Sequence, residues 1–204
     1  MEGRDTIDLA ANELAAYAAY LEGRYPGLPK LILAESFGEY VAARAADRLR
    51  GIPIVLAAPL LGRPRDLLAL FDAPGWERMR KVNAVTVTLA DFSSGAVVRR
   101  RERMINQWQM MRAMFADHLD LSTAQLLSEA GHRCITLVYG TDDRKIGVAE
   151  IPAMRRLLPD MKVMPMPALG HELEKPDDEE RMRVTLEQAI AKARCPAGRE
   201  RQGG

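Results

Sequence analysis

Apolar positions along the chain alternate between helical spacing and short unbroken runs. Over residues 6–22, Ile7, Leu9, Leu14, Tyr17 and Leu21 lie on an amphipathic helix, and Gly23 and Pro26-Gly27 end it. The run Leu31-Ile32-Leu33 follows, too short for a helix, and an alanine-rich stretch of helical character comes directly after it. Read the same way, the pattern predicts strands over 30–35, 52–58, 133–139 and 161–166. Helices are predicted over 38–50, 149–157 and 177–193. Helix and strand in alternation predict an α/β fold with a mostly parallel sheet flanked by helices.

Between Gly62 and Ala130 the pattern changes. Pro64–Phe71 and Arg99–His118 look helical, while Val82–Leu89 alternates like an extended segment. This stretch concentrates large apolar groups: Trp76, Met79, Met104, Trp108, Met110, Met111, Met114 and Phe115. Their plainer role is to form the segment's own core. Methionine also adapts to varied shapes, so the same groups would suit an apolar acyl pocket.

The chemistry is concentrated in residues 29–45, PKLILAESFGEYVAARA. A strand arrives at Ala34-Glu35-Ser36-Phe37-Gly38 and a helix leaves it. Strand, tight turn carrying a serine, helix is the layout of a nucleophile elbow. Small residues at Ala34 and Gly38 are expected because strand and helix backbones come close at so sharp a corner. The helix N-terminus behind Ser36 adds backbone N–H groups suited to developing negative charge. Ala34 stands where the usual G-x-S-x-G begins with glycine, and a serine that merely caps a helix would look similar.

Two further segments complete the chemistry. Cys134-Ile135-Thr136-Leu137-Val138-Tyr139 is a β-rich run ending in Gly140-Thr141-Asp142-Asp143, and Met161–Pro167 leads into Ala168-Leu169-Gly170-His171. Acid and base each fall just beyond a predicted strand, where α/β sheets place their sites. The chain order Ser, Asp, His is the one that accompanies the elbow.

On these residues the chain resembles the α/β-hydrolase family from residue 6 to about residue 193. The matches are the helix Asp8–Leu21, AESFG, the strand IPIVLAAPLL at 52–61, YGTDDRKI as the acid turn, and GHELEKPDDE as the histidine loop. The resemblance implies Ser36 as nucleophile, His171 as general base and Asp143 as the acid, with Asp142 the alternative if the strand ends one residue earlier. It implies Phe37 N–H as an oxyanion donor. It also divides the chain into a first part of the core (1–61), a helical cap or lid insertion (62–131), a second part of the core (132–194) and a disordered tail (195–204). The expected substrate is a small carboxylic ester or thioester, cleaved without a cofactor.

One departure qualifies that expectation. Members of the family carry further strands ahead of the elbow, including the loop that supplies the second oxyanion donor. Only 29 residues precede the first predicted strand here. The chain therefore reads as a partial fold, either a fragment of a longer protein or a reduced hydrolase. The alternative function is a weakly active or inactive relative that binds a ligand or partner. In family order the four strands are neighbours, so the first presents an open edge and a homodimer through it is expected.

Composition narrows the rest. Apolar content of 48%, charged content of 28% and a net charge of +1 are ordinary for a globular protein and give no electrostatic pull toward nucleic acid or a membrane surface. The run Arg99–Arg103 reads as a solvated face. His118 reads as a surface residue and His132 as a turn residue. The three histidines lack close ligand spacing, so no metal site is expected. Cys134 in a predicted strand and Cys195 in the tail look like poor disulfide partners, which suits a reducing cytoplasm. The polar, acidic N-terminus does not resemble a signal peptide.

Overall fold

The computed structural model describes residues 7–36, 38–49, 51–59, 62–63, 121–143, 148–170, 177–193 and 195, and the backbone alone of 84–90 and 100–106. The chain divides into two compact units, one of residues 1–6 and 64–120, the other of residues 7–63 and 121–204.

The larger unit holds the sheet. Its strands are β1 (Ile32–Glu35), β2 (Ile54–Ala57), β5 (Ile135–Gly140) and β6 (Lys162–Met166), all parallel, in the order β1-β2-β5-β6. Its helices are α1 (Ile7–Arg24), α2 (Gly38–Ala45), α3 (Thr123–Glu129), α4 (Ile151–Leu157) and α5 (Asp178–Lys192). The predicted strands and helices of the core are thus present, adjacent and in the expected order. No described helix is long and apolar enough to cross a membrane.

Both sheet faces are covered because the strands are apolar on both sides. Ile54, Leu56, Ile135 and Leu137 join a core with Leu49, Leu127, Ile151 and Met154, on the side of α2, α3 and α4. Val55 and Val138 point the other way, into a cluster with Met166, Leu169 and Ala189 of α5. Alanines make the close approach of α1 and α2 possible: Ala11, Ala42, Ala43 and Ala45 are all buried. Arg44 Nε donates to Asp8 Oδ1 at 2.6 Å across that contact.

β1 is an edge strand. Ile32 N donates to the Pro53 carbonyl and Ser36 N to the Ala57 carbonyl, so the alternate residues Leu33 and Glu35 turn their backbone groups to the open edge. Leu33 is 48% exposed there.

Two expectations are corrected. The helix expected over Arg99–His118 is, at Arg100–Asn106, a strand (β4) paired antiparallel with β3 (Ala84–Ala90) in the smaller unit. Arg, Glu and Met are good helix formers, but propensity is a weak prior that context overrides, and Val85, Thr86, Val87 and Thr88 favour an extended chain that must find a ladder partner. The segments 64–71 and 107–118, with His118, Trp108, Met110, Met111, Met114 and Phe115, lie outside the described residues, as do Trp76 and Met79, while Met104 falls on β4.

The second correction concerns the cysteines. Cys134 and Cys195 are joined in a disulfide across 61 positions of sequence. Their separation along the chain concealed that α5 runs back along β5 and β6. Lys162 Nζ, at the start of β6, donates to the Lys192 carbonyl at 2.6 Å and marks where that return ends. Cys195 is therefore tied to the core instead of belonging to a loose tail, and the cysteines no longer argue for a reducing compartment.

His132 is buried, 5% exposed, between α3 and β5. Burial holds its pKa below the ordinary histidine value, partly opposed by hydrogen bonding to the backbone of Ala46 and Ile52. The folded state thus binds a proton less readily than the unfolded chain. Stability should fall as pH drops below about 6.5, with this group contributing at most about 1.4 kcal/mol per pH unit. Urea denaturation at pH 5, 6 and 7 should show that slope, flattened in His132→Asn. An equal slope in the variant would assign the acid sensitivity to other groups.

Candidate active site

All three non-glycine residues with left-handed backbone among the described residues lie at the C-terminal ends of sheet strands. They are Ser36 (φ 48°) after β1, Ala58 (φ 43°) after β2 and Ala168 (φ 55°) after β6. Such conformations are unfavourable for L-residues and gather at functional sites.

A comparison within the chain tells a capping serine from a strained one. Ser122-Thr123-Ala124-Gln125 and Ser36-Phe37-Gly38-Glu39 both fit the capping-box pattern, a serine followed three residues later by Gln or Glu. Ser122 is such a cap: it is extended (φ −75°, ψ 160°), and its hydroxyl accepts from Gln125 N while its own N–H donates to Gln125 Oε1 at 2.8 Å. Ser36 has the opposite sign of φ, at the corner between β1 and α2. A cap needs no such strain; an elbow requires it.

Packing around the corner is tight on the strand side. Ala34 is 4% exposed, so a larger residue there would displace the core. Gly38 is different from expectation: among the described residues, a Cβ on it would meet nothing within 4 Å. Glu39, in the first turn of α2, is fully buried. Its carboxylate stands at the helix end that favours negative charge.

The acid turn is built at the end of β5. Asp143 is 3% exposed, and Asp142 lies at the surface. Asp143 N donates to the Gly140 carbonyl at 3.2 Å and closes the turn. Ser36 and Asp143 thus lie beyond the same, C-terminal ends of the parallel strands, two strands apart, roughly 10 Å at ordinary strand spacing. Two clefts of about 430 and 340 Å³ open at the opposite end, beside Arg133 and Asp160, and neither reaches these residues. Phe37 and His171 lie outside the described residues.

The segment that leads to His171 is fastened to the acid turn. Thr141 N donates to the Met166 carbonyl and Asp142 N to the Leu169 carbonyl, each at 3.0 Å. Ala168 N donates to Thr141 Oγ1 at 3.0 Å. Arg181 of α5 holds the same loop through the Pro167 carbonyl. Gly140 is where the two backbones touch, since a Cβ there would collide with the Leu169 carbonyl.

No protein-family model and no curated protein matches the chain. Solved structures do. One is a carboxylesterase of the thaumarchaeon Nitrososphaera gargenis, at TM-score 0.55 and 15% identity over 92% of this chain and 73% of that one. Another is E-2-(acetamidomethylene)succinate hydrolase, at 0.57 and 16% over 94% and 76%. A third is the α/β hydrolase GrgF from Penicillium sp. sh18, at 0.54 and 12% over 92% and 73%. The chain has an α/β-hydrolase-like fold.

Within an α/β-hydrolase-like sheet the residues that pattern reading passed over become visible. Gly140 was readable only as a strand-ending glycine; its need for close backbone approach comes from Leu169, 29 positions on. Gly140→Ala is expected to force the two loops apart, costing about 1–3 kcal/mol as overpacking does. Chemical denaturation measures it, and unchanged stability would mean that the turn yields without strain.

Proposed function

We propose that the chain is a serine hydrolase of the α/β-hydrolase type that cleaves a small carboxylic ester or thioester through an acyl-enzyme. The observation that carries the reading is the left-handed backbone of Ser36 at the β1–α2 corner. Burial of Asp143 against exposure of Asp142 favours Asp143 as the acid. The bonds between the acid turn and residues 166–169 support His171 as its partner.

In this reading His171 takes the proton from Ser36 Oγ as the oxygen adds to the carbonyl carbon. Asp143 holds the imidazole in the required tautomer, and Phe37 N–H donates to the oxyanion. Collapse of the tetrahedral intermediate expels the alcohol or thiol, which receives the proton from His171. Water then repeats the sequence, releases the acid and restores Ser36. An ester suits the site better than an amide because a good leaving group tolerates a sparse oxyanion hole. One missing donor costs roughly 2.7–4 kcal/mol of transition-state stabilisation.

A second reading, a weakly active relative that binds a ligand or partner, is favoured by the position of β1 at the sheet edge. The loop that would bring a second donor has no strand beside β1 among the described residues. Turnover of p-nitrophenyl esters together with labelling by a fluorophosphonate probe separates the two. Labelling at Ser36 with turnover supports the hydrolase; an unlabelled, inactive chain supports the binding protein.

A further inference from the structure

Thr141 belongs to no catalytic role assigned above, yet its side chain joins the two loops that the mechanism needs. Its hydroxyl oxygen accepts from Ala168 N at 3.0 Å and its proton is directed to Asp142 Oδ1 at 3.2 Å. Its own N–H donates to the Met166 carbonyl at 3.0 Å. Asp143 lies two residues after it, and Ala168 lies three residues before His171.

Ala168 gives the contact its meaning. At φ 55° this residue is held in a conformation that an alanine rarely adopts and that persists only where its surroundings fix it. The bond from its N–H to Thr141 is a direct restraint on that residue. The neighbouring bond, Asp142 N to the Leu169 carbonyl, restrains the next position from the same turn. Together they set the direction in which the chain leaves for His171.

We propose that Thr141 is a positioning residue of the site: its hydroxyl locks the loop that ends in His171 onto the turn that carries Asp143. The inference rests on the serine-hydrolase reading, since it concerns the pairing of that acid with that base. It requires the hydroxyl specifically. Valine has the shape of threonine without the acceptor, and serine keeps the acceptor without the methyl group.

The test compares the wild-type chain with Thr141→Val and Thr141→Ser. Steady-state kinetics on p-nitrophenyl butyrate should show kcat lower by about tenfold in the valine variant, with KM within twofold. A misplacement of about 1 Å can cost up to a hundredfold, so tenfold corresponds to a partial loosening. The serine variant should stay within threefold of wild type. Amide hydrogen exchange at Ala168 should speed up at least tenfold in the valine variant and stay near wild type in the serine one. This second readout depends neither on substrate nor on Ser36.

Unchanged exchange at Ala168 in Thr141→Val, or a serine variant as impaired as the valine one, would overturn the inference while leaving the hydrolase reading intact. A wild-type chain that neither labels with a fluorophosphonate nor turns over ester would overturn the hydrolase reading, and the inference would fall with it.

Discussion

Replacing Ser36 by alanine is expected to abolish fluorophosphonate labelling and to lower ester turnover by roughly six orders of magnitude, to the level that binding alone supports. The stability of the variants makes the result interpretable. If Ser36 were a helix cap like Ser122, its replacement by alanine would cost about 1 kcal/mol and by glycine only a few tenths. At φ 48° a different order relative to wild type is expected. Alanine inherits the strain and should change stability little, whereas glycine tolerates the conformation and should stabilise the fold by about 1 kcal/mol. Ser36→Gly should therefore be more stable than wild type, and as inactive as Ser36→Ala. Labelling of Ser36→Ala equal to wild type would remove the serine from the mechanism. A glycine variant less stable than wild type would show that the corner is a cap.

The core was legible in the sequence because its strands are apolar on both faces. Leu31–Leu33 and Ile54–Leu56 stand out as short unbroken runs and Ile135–Val138 as one interrupted only by Thr136, and a parallel sheet buried on both sides produces that pattern. The positions of Ser36 and Asp143 were legible too, since each falls within five residues of the end of such a run. What could not be read is what depends on distant partners. β4 carries good helix formers, and only its pairing with β3 makes it a strand. Cys134 and Cys195 look unrelated until α5 is laid along β5 and β6. Gly140 and Thr141 read as ordinary turn residues because the loop that gives them a role begins more than 25 positions later. At Gly38 the motif suggests a steric need, and among the described residues nothing lies beside it to impose one.

Asp143→Asn is expected to lower kcat by about three to four orders of magnitude with little change in KM, while Asp142→Asn should stay within about tenfold of wild type. The argument begins from burial. Asp143 is 3% exposed and Asp142 is at the surface, so only Asp143 could act on the imidazole away from competing water. An ionised carboxylate in that position accepts the imidazole N–H and stabilises the charge that forms as Ser36 is deprotonated. Asparagine preserves the shape but can present an N–H instead, which selects the wrong tautomer and leaves the base unable to take the serine proton. The side chain of Asp142 already receives the Thr141 hydroxyl and faces outward, so its amide should perturb only the loop contact. Steady-state kinetics of both variants, with chemical denaturation to separate lost catalysis from lost folding, decide the assignment. If Asp142→Asn were the more damaged enzyme at equal stability, the acid would be Asp142 and the turn would have to open to admit the histidine. If neither substitution mattered, the strand-end acids would be structural, and the fully buried Glu39 beside the elbow would be the next carboxylate to test.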